Sequence, residues 1–339
     1  MRKYLYFVSI PLILATLFSN LSCKKEDKED EYGSYMVGSA SFVMPLYLLK
    51  SQNFELTATG VSYPTEGLSY SWKAEGFTPE EITGKSVTLQ APATLGSYTI
   101  TLTISHPDYN QTAGNRSTQV IDPNDPLSFS GVVNGSSSIV DSRDGRKYYY
   151  KKIGNLDWFT SNLAWEGAGK YYGTAAALNE ITGALYSWDE ATSGVSSTGL
   201  GGGVQGICPE GWSIPTREDW EDFATAINGS PLPFYNSWEG LGEMVSANAS
   251  LNGNNLWKYS PNNEKSNPVE WNALPGGSST NGFKSFSNFG LFGFWWSGTE
   301  KNSTEGEYRY IHFDNSNFSH SYGGKSFVAA SVRCVRLSS

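Results

Sequence analysis

The sequence predicts a multidomain chain in which an all-β sandwich is followed by an α+β domain. Residues 33–121 carry runs in which apolar side chains alternate with polar ones at a period of two, as half-buried strands require. A polar break, Asp122-Pro-Asn-Asp-Pro126, then interrupts the pattern. Beyond it, one amphipathic helix stands among short strand-like runs and Gly-, Ser- and Asn-rich turns. The length of 339 residues suits two domains of roughly 100–200 residues each.

In the first module, Phe54, Leu56 and Ala58 alternate with polar neighbours, and so do Leu68, Tyr70 and Trp72. A turn at Thr83-Gly84-Lys85 leads to Val87 and Leu89. The clearest strand is 97–105, where Tyr98, Ile100, Leu102 and Ile104 face one way and three threonines the other. Frequent Pro, Gly and Asn clusters between such runs point to a sandwich. The stretch Leu68-Ser-Tyr-Ser-Trp72, with Gly96-Ser-Tyr98 opening a late strand, resembles PKD-like and bacterial immunoglobulin-like domains. That resemblance implies a spacer. Residues 122–139 are expected to form an extended, polar linker, because the residue before a proline avoids the helical region.

The N-terminus reads as an export signal. Arg2 and Lys3 precede an apolar run over 4–18, and Ser19, Asn20 and Ser22 lead to Cys23. The apolar run is short for a membrane span, and Pro11 opposes a signal-anchor helix. Residues 1–22 are therefore expected to be a signal peptide. Cys23 resembles the modified cysteine of a relaxed bacterial lipobox, with Asn20 where Leu is usual. Such a thiol carries the lipid that anchors the protein. Eight consecutive charged residues follow in 24–31, so 23–32 is expected to be a solvated tether. Its Lys-then-acidic order resembles the signal that sends lipoproteins to the outer face of the outer membrane, whereas a plain spacer needs no such order.

Charge and composition exclude some functions. A net charge of −9 with scattered Lys and Arg excludes a nucleic-acid partner, which would require a basic surface. With Cys23 lipidated, Cys208 and Cys334 remain as an even pair in an oxidising compartment, so one disulfide is expected; two free buried thiols are the alternative.

In the second module, Thr216 is a good N-cap with Asp219 placed for a near capping box. Trp220, Phe223, Ala224 and Ile227 then form an apolar helix face, and Asn228-Gly229 ends it. Five stretches from about 140 to 339 carry a family resemblance. They are Asp144-Gly-Arg-Lys-Tyr-Tyr-Tyr-Lys-Lys-Ile-Gly-Asn-Leu-Asp-Trp158; Gly183-Ala-Leu-Tyr-Ser-Trp188; Cys208-Pro-Glu-Gly-Trp-Ser-Ile-Pro-Thr216; Trp271-Asn-Ala-Leu-Pro-Gly-Gly277; and Gly293-Phe-Trp-Trp-Ser-Gly-Thr-Glu300, closed by Ser331-Val-Arg-Cys334. Together they resemble the Fibrobacter succinogenes major paralogous domain (FISUMP). The resemblance implies a C-type-lectin-like fold. The helix start and closing Arg-Cys are also similar to sulfatase-modifying-factor domains.

Chemistry is sparse. The three histidines are His106, His312 and His320, and a pair of surface imidazoles in a polar loop is the expected state of the last two. Neither a nucleophile–base set nor a Gly-rich loop ending in Lys is present, so no enzyme, cofactor or metal is expected. Lectin-type calcium ligation is not matched, because Asn267-Pro-Val-Glu270 and Trp271-Asn272 differ in order and Ala273 stands where an acid is needed. The dense aromatics are the remaining sign, since an exposed ring can stack on a sugar while Asn bonds its hydroxyls. Trp257, Trp295, Trp296, Asn267 and Asn272 are the candidate ligand-binding residues, with 252–267 as the rim and Trp238 a further loop aromatic. In a one-sided sheet, at most one of Trp295 and Trp296 would face the core. The expected role is non-catalytic binding of a glycan or cell-surface protein, with a structural subunit of an outer-membrane complex as the alternative and a modifying-factor-like enzyme as a third.

Overall fold

The computed structural model describes residues 34–228, 237–261 and 263–339. The signal segment 1–22, Cys23, the tether and Gly229 lie outside them. The protein is mostly β, with a few short helices. Among the described residues, no helix is long and apolar enough to cross a membrane.

The first module forms where the alternation is strongest. Gly96–His106 pairs antiparallel with Tyr109–Ile121 on one side and with Ser69–Lys73 on the other. Across from this sheet, Asn53–Thr57 pairs with Ser86–Gln90, and Val37–Ser41 with Thr59–Tyr63. Ile100, Leu102 and Ile104 are buried, and Trp72 packs edge-on against Phe42 in the same core. Trp72 Nε1 donates to the carbonyl of Gly84 at 2.8 Å, so the polar edge of a fully buried indole is satisfied at the expected turn.

Residues 122–139 do not form an extended linker. Asp122 and Asp125 side chains accept from the backbone of Asn124 and Leu127, closing compact Asx turns. Phe129–Ser130 then pairs with Ser250–Leu251, and Ser137–Val140 with Lys147–Ile153. Asn252 fastens the junction. Its Nδ2 donates to the Val120 carbonyl at 2.9 Å, and its Oδ1 accepts from Ser128 Oγ at 2.9 Å. Ile121, Tyr47 and Leu49 join an apolar cluster with Leu178, Leu251 and Leu274 of the second module.

In the second module, Lys147–Ile153, Leu156–Phe159 and the final strand Val335–Leu337 lie side by side. A second sheet runs Phe292–Glu300, Glu305–His312, Ser319–Gly324. The helix Arg217–Asn228 begins as expected: Thr216 Oγ1 accepts from Asp219 N at 3.1 Å, while Asp219 Oδ2 accepts from Thr216 N at 2.9 Å. Trp220, Phe223 and Ala224 are buried. Cys208 and Cys334 form a disulfide that ties the approach to this helix to the last strand, reinforced by backbone bonds between Ser213 and Val335.

The sheet containing Phe292–Glu300 is covered on both faces, which overturns the one-sided expectation. Trp295 joins Trp158, Trp220, Phe223, Trp271 and Phe318 on one side. Trp296 joins Trp188, Trp212 and the disulfide on the other. Both indoles are fully buried.

Candidate functional site

The burial of Trp295 and Trp296 follows from hydrogen bonding as well as packing. Trp295 Nε1 donates to Asn162 Oδ1 at 2.9 Å and Trp296 Nε1 to the Tyr186 carbonyl at 2.7 Å. Neither presents a ring face to solvent, so as the chain is folded they are core residues and not a stacking platform. Trp238 is core as well, packed on Phe318 with the Arg309 guanidinium over its ring.

Asn267 and Asn272 also turn inward. Both adopt positive φ, a region that the short carboxamides tolerate by bonding nearby backbone. Asn267 Nδ2 donates to Asn272 Oδ1 at 2.8 Å, and Asn267 Oδ1 accepts from Asn272 N at 3.1 Å. Asn272 Nδ2 donates to the carbonyls of Val133 and Thr160. Their amides are occupied as internal braces, which removes them as free partners for a sugar hydroxyl. Glu270 between them pairs with Lys151 at 2.8 Å.

Trp257 alone of the candidate aromatics borders a cavity. It is 3 % exposed and donates from Nε1 to the Ala273 carbonyl, so it forms the floor and not an open wall. The cleft above it has a volume of about 380 Å³ and is lined also by Asn248, Asn255, Tyr259, Asn263 and Lys265. This is the expected 252–267 rim, but its open ring belongs to Tyr259, which is 79 % exposed. No periodicity marks Tyr259, because a loop residue's exposure is set by neighbours distant in sequence.

The cleft's polar groups suit hydroxyls. Asn248 and Asn255 are exposed carboxamides, and the buried Asn263 Oδ1 has no hydrogen-bond partner among the described residues. Lys265 Nζ donates to the carbonyls of Asn263 and Phe313 at 2.7 and 3.0 Å. Burial pushes its pKa below the usual lysine value, against the pull of Asp314 and Glu243. The Ser260 hydroxyl is tied to Asp314. Carboxamides, ammonium groups and one open aromatic ring are the complement of a polyol with an apolar ring face.

The remaining histidines are not a pair of surface imidazoles. His320 lies half-sequestered in the second sheet, its Nε2 3.6 Å from the buried Glu307, which also pairs with Arg217 and Arg309. Burial holds its pKa below the ordinary imidazole value. His312 packs on Phe292 and Phe313. Among the described residues, no group of three His, Cys, Asp or Glu side chains could hold a metal ion.

With this geometry in hand, the model of the Fibrobacter succinogenes major domain matches residues 152–336. The chain belongs to this family. The matched FISUMP segment holds both ends of the disulfide, the double-sided tryptophan core and the cleft beside Tyr259. No curated protein matches the chain.

Proposed function

We propose that this FISUMP protein is a non-catalytic, lipid-anchored cell-surface binder whose C-terminal module takes a glycan in the cleft beside Tyr259. The observation that carries the reading is one open tyrosine ring set among Asn248, Asn255 and Asn263 above a buried tryptophan. In this reading the first module is a PKD-like spacer and the second a C-type-lectin-like domain. Cys23 bears the lipid and holds the protein on the exterior face of the outer membrane. The membrane is touched through the anchor only, and no nucleic acid or cofactor is involved.

A glycan array probed with the Tyr32–Ser339 fragment, with and without EDTA, tests the binding. The expected result is a restricted set of glycans, retained in EDTA and lost in Tyr259→Ala. No glycan in either condition, with an outer-membrane protein co-purifying from cells, would replace this reading by the assembly one. Mass spectrometry of protein from its native host checks the anchor: an unmodified Cys23 thiol would remove the proposed address.

A further inference from the structure

A second cleft, of about 320 Å³, opens where the 122–139 segment crosses the C-terminal module. Phe129 and Val132 of that segment form one wall, and Arg146, Lys147 and Asn179 lie on the other side. Its floor includes Arg333, which is 1 % exposed. Among the described residues, every acceptor of this guanidinium is neutral. Nε donates to Asn162 Oδ1 at 2.7 Å, Nη1 to the carbonyls of Phe159 and Trp271, and Nη2 to the Asn272 carbonyl at 2.7 Å. These are four of the five N–H groups that an arginine carries, so one Nη2–H remains. The ring of Trp271 covers one face at 4.2 Å. No carboxylate pairs with Arg333 among the described residues, although a buried charge ordinarily has a counter-charge.

The rest of the lining does not supply that counter-charge. Glu180 is the cleft's carboxylate, and Arg146 engages it with two bonds, at 2.7 and 3.0 Å. Asp144 also stands 3.9 Å from Arg146 Nε, and among the described residues neither carboxylate pairs with Lys147 or Arg333, so these two cations of the lining lack a partner of opposite charge. Lys147 is exposed, with its ammonium 4.7 Å from the Tyr149 ring. Among the described residues, two further buried polar atoms in the lining, Asn179 Oδ1 and Arg146 Nε, have no hydrogen-bond partner. A polar cleft with excess positive charge, several carboxamides and a small apolar wall matches a compact ligand bearing one carboxylate and several hydroxyls. Its volume is at the small end of ligand pockets, near roughly 300 Å³.

We propose that this second cleft binds an acidic sugar residue, its carboxylate drawn towards Lys147 and Arg333 and its hydroxyls towards Asn134 and Asn179. The site is distinct from the cleft beside Tyr259 and does not depend on it. Because the 122–139 segment provides a wall, the ligand touches both the junction and the FISUMP module.

The test is isothermal titration of the full chain, purified in detergent, with galacturonate, galactose and acetate. Galacturonate is expected to bind at least about tenfold more tightly than either control, because neither control offers both the charge and the hydroxyls. Raising the salt concentration should weaken galacturonate binding. Lys147→Glu, at an exposed site that leaves Arg333 and its bonds intact, should weaken it by about tenfold. Lys147→Gln should weaken it by about threefold. Tyr259→Ala should leave it unchanged. Equal binding of galactose and galacturonate, absence of galacturonate binding, or loss in Tyr259→Ala with full retention in Lys147→Glu would each overturn the proposal.

Discussion

Replacing Cys208 and Cys334 together by alanine removes a crosslink between residues 126 apart in sequence. Loop-closure entropy makes such a staple worth about 5 kcal/mol at 25 °C, since the unfolded chain regains the freedom of the whole loop. Alanine is the informative choice. Both sulfurs lie in an apolar cluster with Trp212 and Trp296, where serine would add an unpaired hydroxyl and confuse the reading. At about 2–4 °C per kcal/mol for a domain of this size, the melting temperature of the C-terminal module should fall by about 10–20 °C. Tryptophan fluorescence follows that module almost alone, because Trp72 is the single tryptophan of the first sandwich out of eleven in the chain. Denaturant titration should also show a steeper transition, as the uncrosslinked chain exposes more surface. A drop of less than about 3 °C would refute the reasoning. It would mean that the last strand is held by packing and ladder bonds alone.

Asn252→Ala removes the bonds to Val120 and Ser128 at the junction and should cost about 1–3 kcal/mol, splitting or broadening the calorimetric transition as the two modules uncouple; an unchanged single transition would count against the bridge. Trp296→Ala should destabilise by about 3–5 kcal/mol in urea unfolding, as a core indole does, whereas a surface ring would cost almost nothing. Acidification should weaken the fold through His320. Its folded pKa lies below the ordinary 6.5, so the unfolded chain binds more protons, and stability is fully present above that value and is lost as pH falls towards the folded one. The groups facing it are Glu307, Arg309 and Arg217, and burial outweighs the pull of Glu307. His320→Gln should flatten the pH dependence of urea midpoints over this interval, and an identical slope in both proteins would remove His320 as its source.

The local periodicities were legible. Ile100, Leu102 and Ile104 announce a strand because side chains alternate across a pleat, and the core they join is the one expected. Thr216 and Asp219 announce a helix start because capping is decided within four residues. The cysteine pair could be read from its parity. What the sequence does not carry is which surface a distant segment will cover. Trp295 and Trp296 alternate as any strand residues do, and only the packing of other elements on both sides buries the pair. Asn267 and Asn272 read as candidate ligand-binding residues until the positive φ of each turns its amide inward and the two bond each other. The Pro- and Asp-rich break suggests an extended spacer, yet its aspartates fold it into turns by accepting from their own backbone. Tyr259 and Arg333 stand out only once burial is known.

The short closing strand gives the module a particular order of assembly. Val335–Leu337 lies against Leu156–Phe159, Val335 bonds Ser213, and Arg333 gathers the carbonyls of Phe159, Trp271 and Asn272. A folding chain therefore lacks its keystone until this strand has docked. Through all of that interval, the indoles later enclosed by this strand face water. Such long-range closure slows folding and leaves apolar surface open to aggregation in the meantime. A chain ended before Arg333 would be a core without its seal, and proteolysis should find it quickly.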